Sequence, residues 1–374
     1  MRKNKICWVT PDCFLDMDLN IPLMEGLLEQ FDICWIVLLS HNGRFQKSDF
    51  NTIAQKCTKL KLVFLESAIR ERNPRKIIEY IKINSVIKRE VPDIIYLNLT
   101  PASPWQIPMF FLLPKNKTII TAHQGRVHEG MGHYKYYNFL RDIVYNRIRN
   151  VNMFSKSQAV YFRDRYSKSQ IYQFPLGLKD FGEATNSRPS NGKVRFLSFG
   201  SIIYTKSIET LIQAGNILYE RGERNFIISI NGSCKDWSWY QNQIRHQEVF
   251  ESDVRMIKNN EIPNLFNGCH YLVQPYRVVS QSGPTKIAFK YNLPVICSNL
   301  PGFTDEVIEG KCGYSFETGN PEALADVMQK AIRNFGEYND LINSEKEIVD
   351  ANYSTEALIK QYVGMFNSVI SRNG

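Results

Sequence analysis

The feature that most constrains this chain is a regular alternation of short apolar runs with longer, helix-like segments. In the first half the apolar runs are typical of buried strands, and amphipathic or polar segments stand between them. The strand-like runs are residues 6–10, 33–39, 60–65, 94–97 and 118–122, and the helix-like segments are residues 21–30 and 74–89. Such alternation predicts a parallel sheet with helices packed on its faces.

A polar segment rich in small residues, residues 182–192, interrupts this pattern. It lacks apolar periodicity, which is typical of a linker. After it the alternation restarts, with strand-like runs at residues 194–199, 226–230, 271–274 and 294–297 and helix-like segments at residues 207–222, 284–291, 321–334 and 355–371. Because 374 residues are many for one core, two α/β domains are predicted. Ligands of open α/β sheets bind outside the carboxyl ends of the strands, and we expect the site there.

The net charge of +9 is concentrated in the first half of the chain. Residues 1–190 hold 28 Lys and Arg against 17 Asp and Glu, whereas the remaining residues hold 18 against 20. This asymmetry indicates an anionic partner, such as nucleic acid, an anionic membrane surface or a phosphorylated substrate, or else a solvated basic surface.

The eight cysteines include no C-x-x-C pair, and several stand inside apolar runs. This usage is typical of reduced cysteines in a reducing compartment. The apolar run near the basic start is too short for the apolar region of a signal peptide. No run approaches the ~20 apolar residues that cross a bilayer. We therefore expect a cytoplasmic protein that is soluble or peripheral.

The loop at residues 280–283 and the helix-like segment after it form the first candidate site. A strand-like run ends before the loop, and Pro284 suits the first turn of a helix. We expect unpaired backbone N–H groups at Gly283 and Thr285, and such a helix start binds a phosphate well. The polar side chains around it are those of Ser280, Gln281, Ser282 and Thr285.

The second candidate stretch follows the strand-like run at residues 194–199. Gly200 ends this run, Ser201 comes next, and Lys206 precedes the following helix-like segment. The ammonium of Lys206 could reach a phosphate as a point charge. The alternative is an ordinary solvated lysine in a loop.

Together, these stretches resemble the C-terminal domain of family 4 glycosyltransferases, which are retaining enzymes with the GT-B fold. The resemblance covers about residues 196–334 and includes G-x5-K from Gly200, I-P-N-L-F-N-G-C-H-Y-L-V-Q-P-Y at residues 262–276, S-Q-S-G at residues 280–283 and P-G-F-T-D-E-V-I-E-G at residues 301–310. It implies an α/β protein of two Rossmann-like domains facing across a cleft, with a last helix crossing back to the first domain. The implied parts are an acceptor-binding domain at residues 1–183, a nucleotide-sugar-binding domain at residues 184–354 and the returning helix at residues 355–374.

The resemblance also implies roles for the two candidate stretches. Lys206 and the region of Ser282, Gly283 and Thr285 would bind the donor diphosphate and stabilise it as it leaves. Gly200, Ser201, Ser280 and Gln281 belong to the same implied donor site. Because these positive groups would replace a divalent ion, we expect neither a metal nor a cofactor.

Three positions depart from the usual family pattern. Ser201 stands where an arginine is usual, and Val279 and Ile287 stand where two glutamates are usual. The second glutamate normally binds the donor ribose. The S-Q-S-G sequence in place of the glutamate pattern resembles a subset of the family.

The first half carries fewer specific signals. His123 follows a strand-like run, where the family often has a histidine near the transferred sugar, and a structural histidine is the alternative. Asp12 and Asp16 lie in the first loop and could bind acceptor hydroxyls, or they could belong to a solvated acidic loop. His128 and His133 have no partner spacing that identifies a metal site.

The sequence thus favours a retaining hexosyltransferase of surface polysaccharide synthesis, with a UDP-sugar or GDP-sugar donor and a glycan or lipid-linked glycan acceptor. The basic, aromatic stretches at residues 70–89 and 133–149 could lie on the inner face of an anionic membrane, or they could simply pack inward. The alternative from another class is a non-catalytic GT-B scaffold of a glycan-assembly complex. A sugar-nucleotide epimerase is a third reading, and we expect no nucleic-acid partner.

Overall fold

The computed structural model describes residues 2–12, 17–40, 45–70, 73–125, 127, 132–190 and 192–373. The chain forms two compact units. The first comprises Met1–Pro175 with Thr355–Gly374, and the second comprises Leu176–Ser354. Each is an α/β unit with its own parallel sheet, which confirms the predicted fold class.

The first unit is built on a seven-stranded sheet in the order β3-β2-β1-β4-β5-β6-β7. Its strands are β1 (Asn4–Pro11), β2 (Phe31–Ser40), β3 (Lys61–Ser67), β4 (Ile94–Leu97), β5 (Thr118–Ala122), β6 (Asn150–Met153) and β7 (Gln170–Gln173). Its helices are α1 (Met17–Leu27), α2 (Asn51–Lys56), α3 (Lys76–Glu90), α4 (Ile107–Leu112), α5 (Tyr134–Arg147), α6 (Lys156–Arg165) and α14 (Thr355–Ser371). The central strands are buried on both faces, which explains why they are continuous apolar runs.

Helix α14 packs on the first unit although it is last in the chain. Tyr362 and Phe366 place their rings 5.3 Å and 6.2 Å from the ring of Trp8 in β1. On α1, Gly26 makes room for Ile359, because a Cβ at Gly26 would lie 2.1 Å from the Ile359 Cδ1. The predicted return of the last helix to the first unit is therefore confirmed.

The second unit contains a six-stranded sheet in the order β10-β9-β8-β11-β12-β13. Its strands are β8 (Val194–Phe199), β9 (Phe226–Asn231), β10 (Phe250–Asp253), β11 (Tyr271–Gln274), β12 (Val295–Ser298) and β13 (Gly313–Phe316). Its helices are α7 (Ile208–Glu220), α8 (Trp237–Gln241), α9 (Ile262–Asn267), α10 (Gly283–Lys290), α11 (Pro301–Thr304), α12 (Pro321–Arg333) and α13 (Tyr338–Tyr353). Apolar side chains on both faces of this sheet form two clusters, one beneath α7 and α12 and one beneath α10.

The units divide between Pro175 and Leu176, eight residues before the boundary drawn from the sequence. Gly182 and Thr185 of the polar segment are held on the second unit by hydrogen bonds. The Tyr291 hydroxyl donates to the Gly182 carbonyl oxygen at 2.9 Å, and the Thr185 N–H donates to the Asn264 Oδ1 at 2.7 Å. Polar groups of this segment therefore form hydrogen bonds at the surface of the second unit.

Glu345 on α13 is a carboxyl group buried inside the second unit. Its side chain is 0% exposed, and within the described residues neither of its carboxylate oxygens has a hydrogen-bond partner. Burial raises its pKa well above the usual 4.5, and the charge of Arg188 opposes this only in part. Folding therefore favours the protonated form of Glu345.

We predict that Glu345→Gln removes a pH-dependent loss of stability. Below pH 4.5 both folded and unfolded wild type are protonated at this position, and the group costs no ionisation energy. As the pH rises towards the folded pKa, the unfolded state ionises first, and the unfolding free energy falls by about 1.4 kcal/mol per pH unit. Urea unfolding of both proteins from pH 4.5 to 8 measures this, and parallel curves would contradict it.

Candidate active site

The candidate site of the second unit lies at the end of β8, a strand that pairs with β9 on one side and with β11 on the other. In the sheet β8 stands between β9, which follows it in sequence, and β11. The strand order reverses here, and crevices at such points bind ligands outside the carboxyl ends of the strands. The loops after β8 and β11 are the two candidate stretches found in the sequence.

Glycines allow the end of β8 to lie close to the end of β9 and to the start of α10. Gly200 has a φ of +116°, and its N–H donates to the Asn231 carbonyl oxygen at 3.0 Å. A Cβ at Gly232 would lie 1.8 Å from the Gly200 carbonyl oxygen, so only glycine fits there. A Cβ at Gly200 would lie 4.0 Å from the Pro284 Cγ, and the end of β8 is thus next to the start of α10.

Lys206 is a half-buried cation at this place. Its Nζ lies 3.5 Å from the centroid of the Tyr276 ring, and burial lowers its pKa to about 8. No Asp or Glu of the described residues forms a salt bridge with it. An anion that entered here would meet an ammonium without a competing carboxylate.

The start of α10 is more fully hydrogen-bonded than the sequence suggests. Ser282 is its N-cap, and its Oγ accepts from the Thr285 N–H at 3.3 Å and from the Gln274 Nε2 at 2.7 Å. The Thr285 hydroxyl donates to the Gln274 Oε1 at 2.5 Å. The expectation of an unpaired Thr285 N–H is therefore wrong, because the side chain of Ser282 caps it, and both hydroxyls are bonded to the protein.

Two N–H groups at the start of α10 keep hydrogen-bonding capacity for a ligand. Within the part of the chain that the structure describes, the Gly283 N–H and the buried Nε2 of Gln281 have no partner. Ser280 is half-buried, and Ser201 is exposed. The donor-binding roles of these residues stay predictions.

Lys179 is a second lysine at this site, and sequence reasoning missed it. A Cβ at Gly283 would lie 3.7 Å from the Lys179 Cε, so the lysine stem runs beside the first residue of α10. The Lys179 N–H also donates to the Lys286 carbonyl oxygen at 3.4 Å. No spacing signal could have found Lys179, because about a hundred residues separate it from the loop.

The structure also explains what the departures from the family pattern do. Ile287 is buried in the apolar cluster beneath α10. Val279 packs closely on Gly302, where a Cβ would lie 2.7 Å from the Val279 carbonyl oxygen. Both positions are therefore used for packing, and neither side chain can hydrogen-bond a ribose.

In the first unit, the sheet order reverses between β1 and β4, and the predicted residues follow β1 and β5. His123 follows β5, and its Nε2 is 3.3 Å from the Oδ1 of Asn98, which follows β4. Its ring lies 5.3 Å from that of Phe154. Asp12 follows β1, and its Oδ1 is buried without a hydrogen-bond partner in the described residues.

The remaining predicted residues divide into two groups. Asp16 and His128 lie outside the described residues. His133 is exposed and precedes α5 with a φ of 59°. No group of three His, Cys, Asp or Glu among the described residues is placed to hold a metal ion. The expectation of a metal-free site stays a prediction.

Comparison with solved structures identifies the class of the fold. Sucrose-phosphate synthase from Thermosynechococcus elongatus matches with a TM-score of 0.75 and 14% identity, over 99% of this chain and 100% of that one. HepE of Anabaena in complex with UDP-glucose matches with a TM-score of 0.68 and 13% identity, over 97% of this chain and 99% of that one. The chain has the GT-B fold of glycosyltransferases.

Residues 182–348 match the family model of the glycosyl transferases group 1. An uncharacterized glycosyltransferase of Methanocaldococcus jannaschii is 23% identical over 221 residues, which are 56% of this chain and 54% of that protein. The capsular polysaccharide biosynthesis glycosyltransferase CapM of Staphylococcus aureus is 23% identical over 179 residues, which are 46% of each chain. The matched region thus spans about half the length of these curated relatives.

We predict that affinity for UDP falls as the pH rises above about 8, the pKa of Lys206 in the unliganded protein. A bound diphosphate favours the charged ammonium, so binding above this pH must take up a proton. Calorimetry from pH 7 to 9.5, in buffers with different ionisation enthalpies, measures the affinity and the proton uptake. Lys206→Arg should flatten the profile because arginine stays charged throughout, and an equally steep profile in Lys206→Arg would contradict the assignment.

Proposed function

We propose that the chain is a retaining glycosyltransferase that moves a hexose-type sugar from a nucleotide-diphosphate donor to a glycan or lipid-linked glycan. The proposed donor is a UDP-sugar, with a GDP-sugar as the second choice, and the product belongs to a surface polysaccharide. The observation that carries the proposal is Lys206, a half-buried cation without a carboxylate partner in the described residues, beside the start of α10 in a group 1 family unit.

The comparisons support the choice of donor and product class. HepE of Anabaena was solved in complex with UDP-glucose, and this chain shares its fold. CapM is named for capsular polysaccharide biosynthesis, and it is similar to this chain over 179 residues. Donor and product are therefore proposed from relatives, whereas the anion site is proposed from the residues of this chain.

The proposed chemistry uses the positive groups of the second unit. The Lys206 ammonium, the Gly283 N–H and the positive end of the α10 dipole would stabilise the diphosphate as it leaves. Lys179 adds a second positive charge beside Gly283. In a retaining reaction of this kind the acceptor attacks from the face that the diphosphate leaves, and a diphosphate oxygen takes the acceptor proton. His123 is proposed to lie near the transferred sugar.

A non-catalytic scaffold is the second candidate function. It is favoured by Val279 and Ile287, which pack where family members usually have glutamates. A scaffold does not need to bind a nucleotide, and binding therefore separates the two candidates.

The proposed function predicts that UDP and a UDP-sugar raise the unfolding temperature of the protein. A ligand at 100 times its dissociation constant stabilises a protein by about 2.7 kcal/mol. Thermal unfolding with UDP, GDP, ADP and CMP, and then with their sugar conjugates, measures the effect. Lys206→Ala should lose most of the shift, while Lys311→Ala, which changes an exposed lysine in the same unit, should keep it.

The nucleotide that shifts the transition identifies the donor class. A shift with UDP that survives in Lys206→Ala would remove the residue from the donor site. No shift with any nucleotide would favour the scaffold.

We also propose that the first unit rests on an anionic membrane surface, where a lipid-linked acceptor would be presented. Helices α3, α4, α5 and α6 pack on one face of its sheet through a shared apolar cluster. They carry ten Lys and Arg against four Asp and Glu, a net charge of +6. Their exposed large apolar side chains are Ile78, Ile81, Phe111, Leu112, Tyr136, Phe139, Val160 and Tyr161. Among the described residues, no helix is long and apolar enough to cross a bilayer.

We predict that the double substitution of Phe111 and Leu112 by Ser weakens membrane binding at least tenfold. Each exposed side chain that enters the interface contributes burial of apolar area, and basic neighbours add attraction to anionic lipid. Co-sedimentation with vesicles of phosphatidylglycerol and phosphatidylcholine measures it, with Ile308→Ser in the second unit as the matched control. Equal binding of both variants, or binding to pure phosphatidylcholine alone, would contradict the assignment.

A further inference from the structure

We propose that Tyr276 and Gln274 are positioning residues that hold Lys206 and the start of α10 together as one diphosphate-binding unit. This inference rests on the proposed function, because it concerns the same site. It goes further by assigning a role to two buried residues that do not need to touch the donor themselves.

Tyr276 provides the surface on which Lys206 lies. Its side chain is 3% exposed, and the Lys206 Nζ lies 3.5 Å from its ring centroid. The ring is held from two directions, by Phe303 at a centroid distance of 5.2 Å and by the Gln274 Nε2, which donates to its hydroxyl at 3.0 Å. The position of the ring, and with it the position of the ammonium, is therefore fixed by the core.

Gln274 joins this ring to the start of α10. It ends β11 and is 1% exposed. Its Nε2 donates to the Tyr276 hydroxyl and to the Ser282 Oγ, while its Oε1 accepts from the Thr285 hydroxyl. Only a side-chain amide supplies two donors and an acceptor at this place, because a carboxylate cannot donate and a hydroxyl has a single proton.

The backbone at Tyr276 is also held, by a hydrogen bond from β12. The Ser298 hydroxyl at the end of β12 donates to the Tyr276 carbonyl oxygen at 2.8 Å. Strand β12 thus helps to fix Tyr276, whose ring contacts the Lys206 ammonium. A movement of α10 would be transmitted to Tyr276 through Gln274, and the two anion-binding groups keep one fixed geometry.

An aromatic ring suits this task better than a carboxylate would. A carboxylate beside Lys206 would neutralise the ammonium and compete with the phosphate for it. The face of the Tyr276 ring attracts the cation electrostatically and leaves its charge available to a ligand. Because no Asp or Glu of the described residues pairs with the ammonium, its charge is available to a diphosphate.

The inference predicts that Tyr276→Leu weakens UDP binding about tenfold, the effect of losing a desolvated cation–π contact. Tyr276→Phe keeps the ring and should stay within about threefold of wild type. Calorimetric titration with UDP measures the affinities, and the pH at which affinity falls should move downward in Tyr276→Leu but not in Tyr276→Phe, because loss of the ring removes a contact that favours the charged ammonium of Lys206. In steady-state assays, Tyr276→Leu should raise KM for the donor more than it lowers kcat.

A double-mutant cycle shows whether Tyr276 acts through Lys206. If it does, Tyr276→Leu has little further effect on UDP affinity in a Lys206→Ala background. Gln274→Met, which keeps the length of the side chain and removes its three hydrogen bonds, should weaken UDP binding in the same direction. If Gln274→Met fails to fold, the double-mutant cycle of Tyr276→Leu and Lys206→Ala still tests the inference.

The outcomes separate the two proposals. Additive effects of Tyr276→Leu and Lys206→Ala, with an unchanged pH profile in Tyr276→Leu, would overturn the positioning role while wild type still binds UDP. A wild type that binds neither UDP nor GDP would overturn the proposed function, and the positioning role with it.

Discussion

The candidate site depends on one structural constraint, the parallel pairing of β8 with β9 on one side and β11 on the other. Because the chain leaves β8 and β11 in opposite directions across the sheet, their loops meet at the carboxyl edge. Gly200 and Gly232 allow the ends of β8 and β9 to approach closely, and the loop after β11 begins α10 beside them. A larger residue at Gly232 would separate these strand ends and with them the two halves of the site.

The fold could be predicted from the sequence where strands are buried on both faces. Strands β4 and β5 were predicted with their observed bounds, since all their residues are buried and apolar or hydrogen-bonded. Strands β6, β7 and β10 were not predicted. Strands β7 and β10 lie at the edges of their sheets, and β6 contains two asparagines. Asn152 of β6 is buried nonetheless, because Tyr96 donates to its Oδ1 at 2.8 Å. A buried polar residue whose partner is 56 residues away gives no local signal.

The site could be predicted only in its loops. The spacing of Gly200 and Lys206 matches a known pattern, and Pro284 in the first turn of α10 is typical of a helix start. Gln274 and Tyr276 read as the end of an apolar strand, and nothing in the sequence shows that Gln274 is hydrogen-bonded to both Tyr276 and Ser282. The hydroxyls of Ser282 and Thr285 were expected to face a ligand, but the structure turns them towards Gln274. Spacing identifies the loops of a site, whereas the direction of each side chain depends on packing from distant elements.

The departures from the family pattern and the aromatic support of Lys206 form one consistent arrangement. Residues 275–290 contain no Asp or Glu, so the loop between β11 and α10 brings no negative charge near the ammonium. A lysine that is half-buried without a carboxylate has to be stabilised in another way, since burial disfavours its charged form. The Tyr276 ring supplies that stabilisation, and Gln274 ties the ring to the helix start that would bind the same anion. The positive charge of Lys206 therefore stays available for a ligand, although burial lowers the pKa of this lysine.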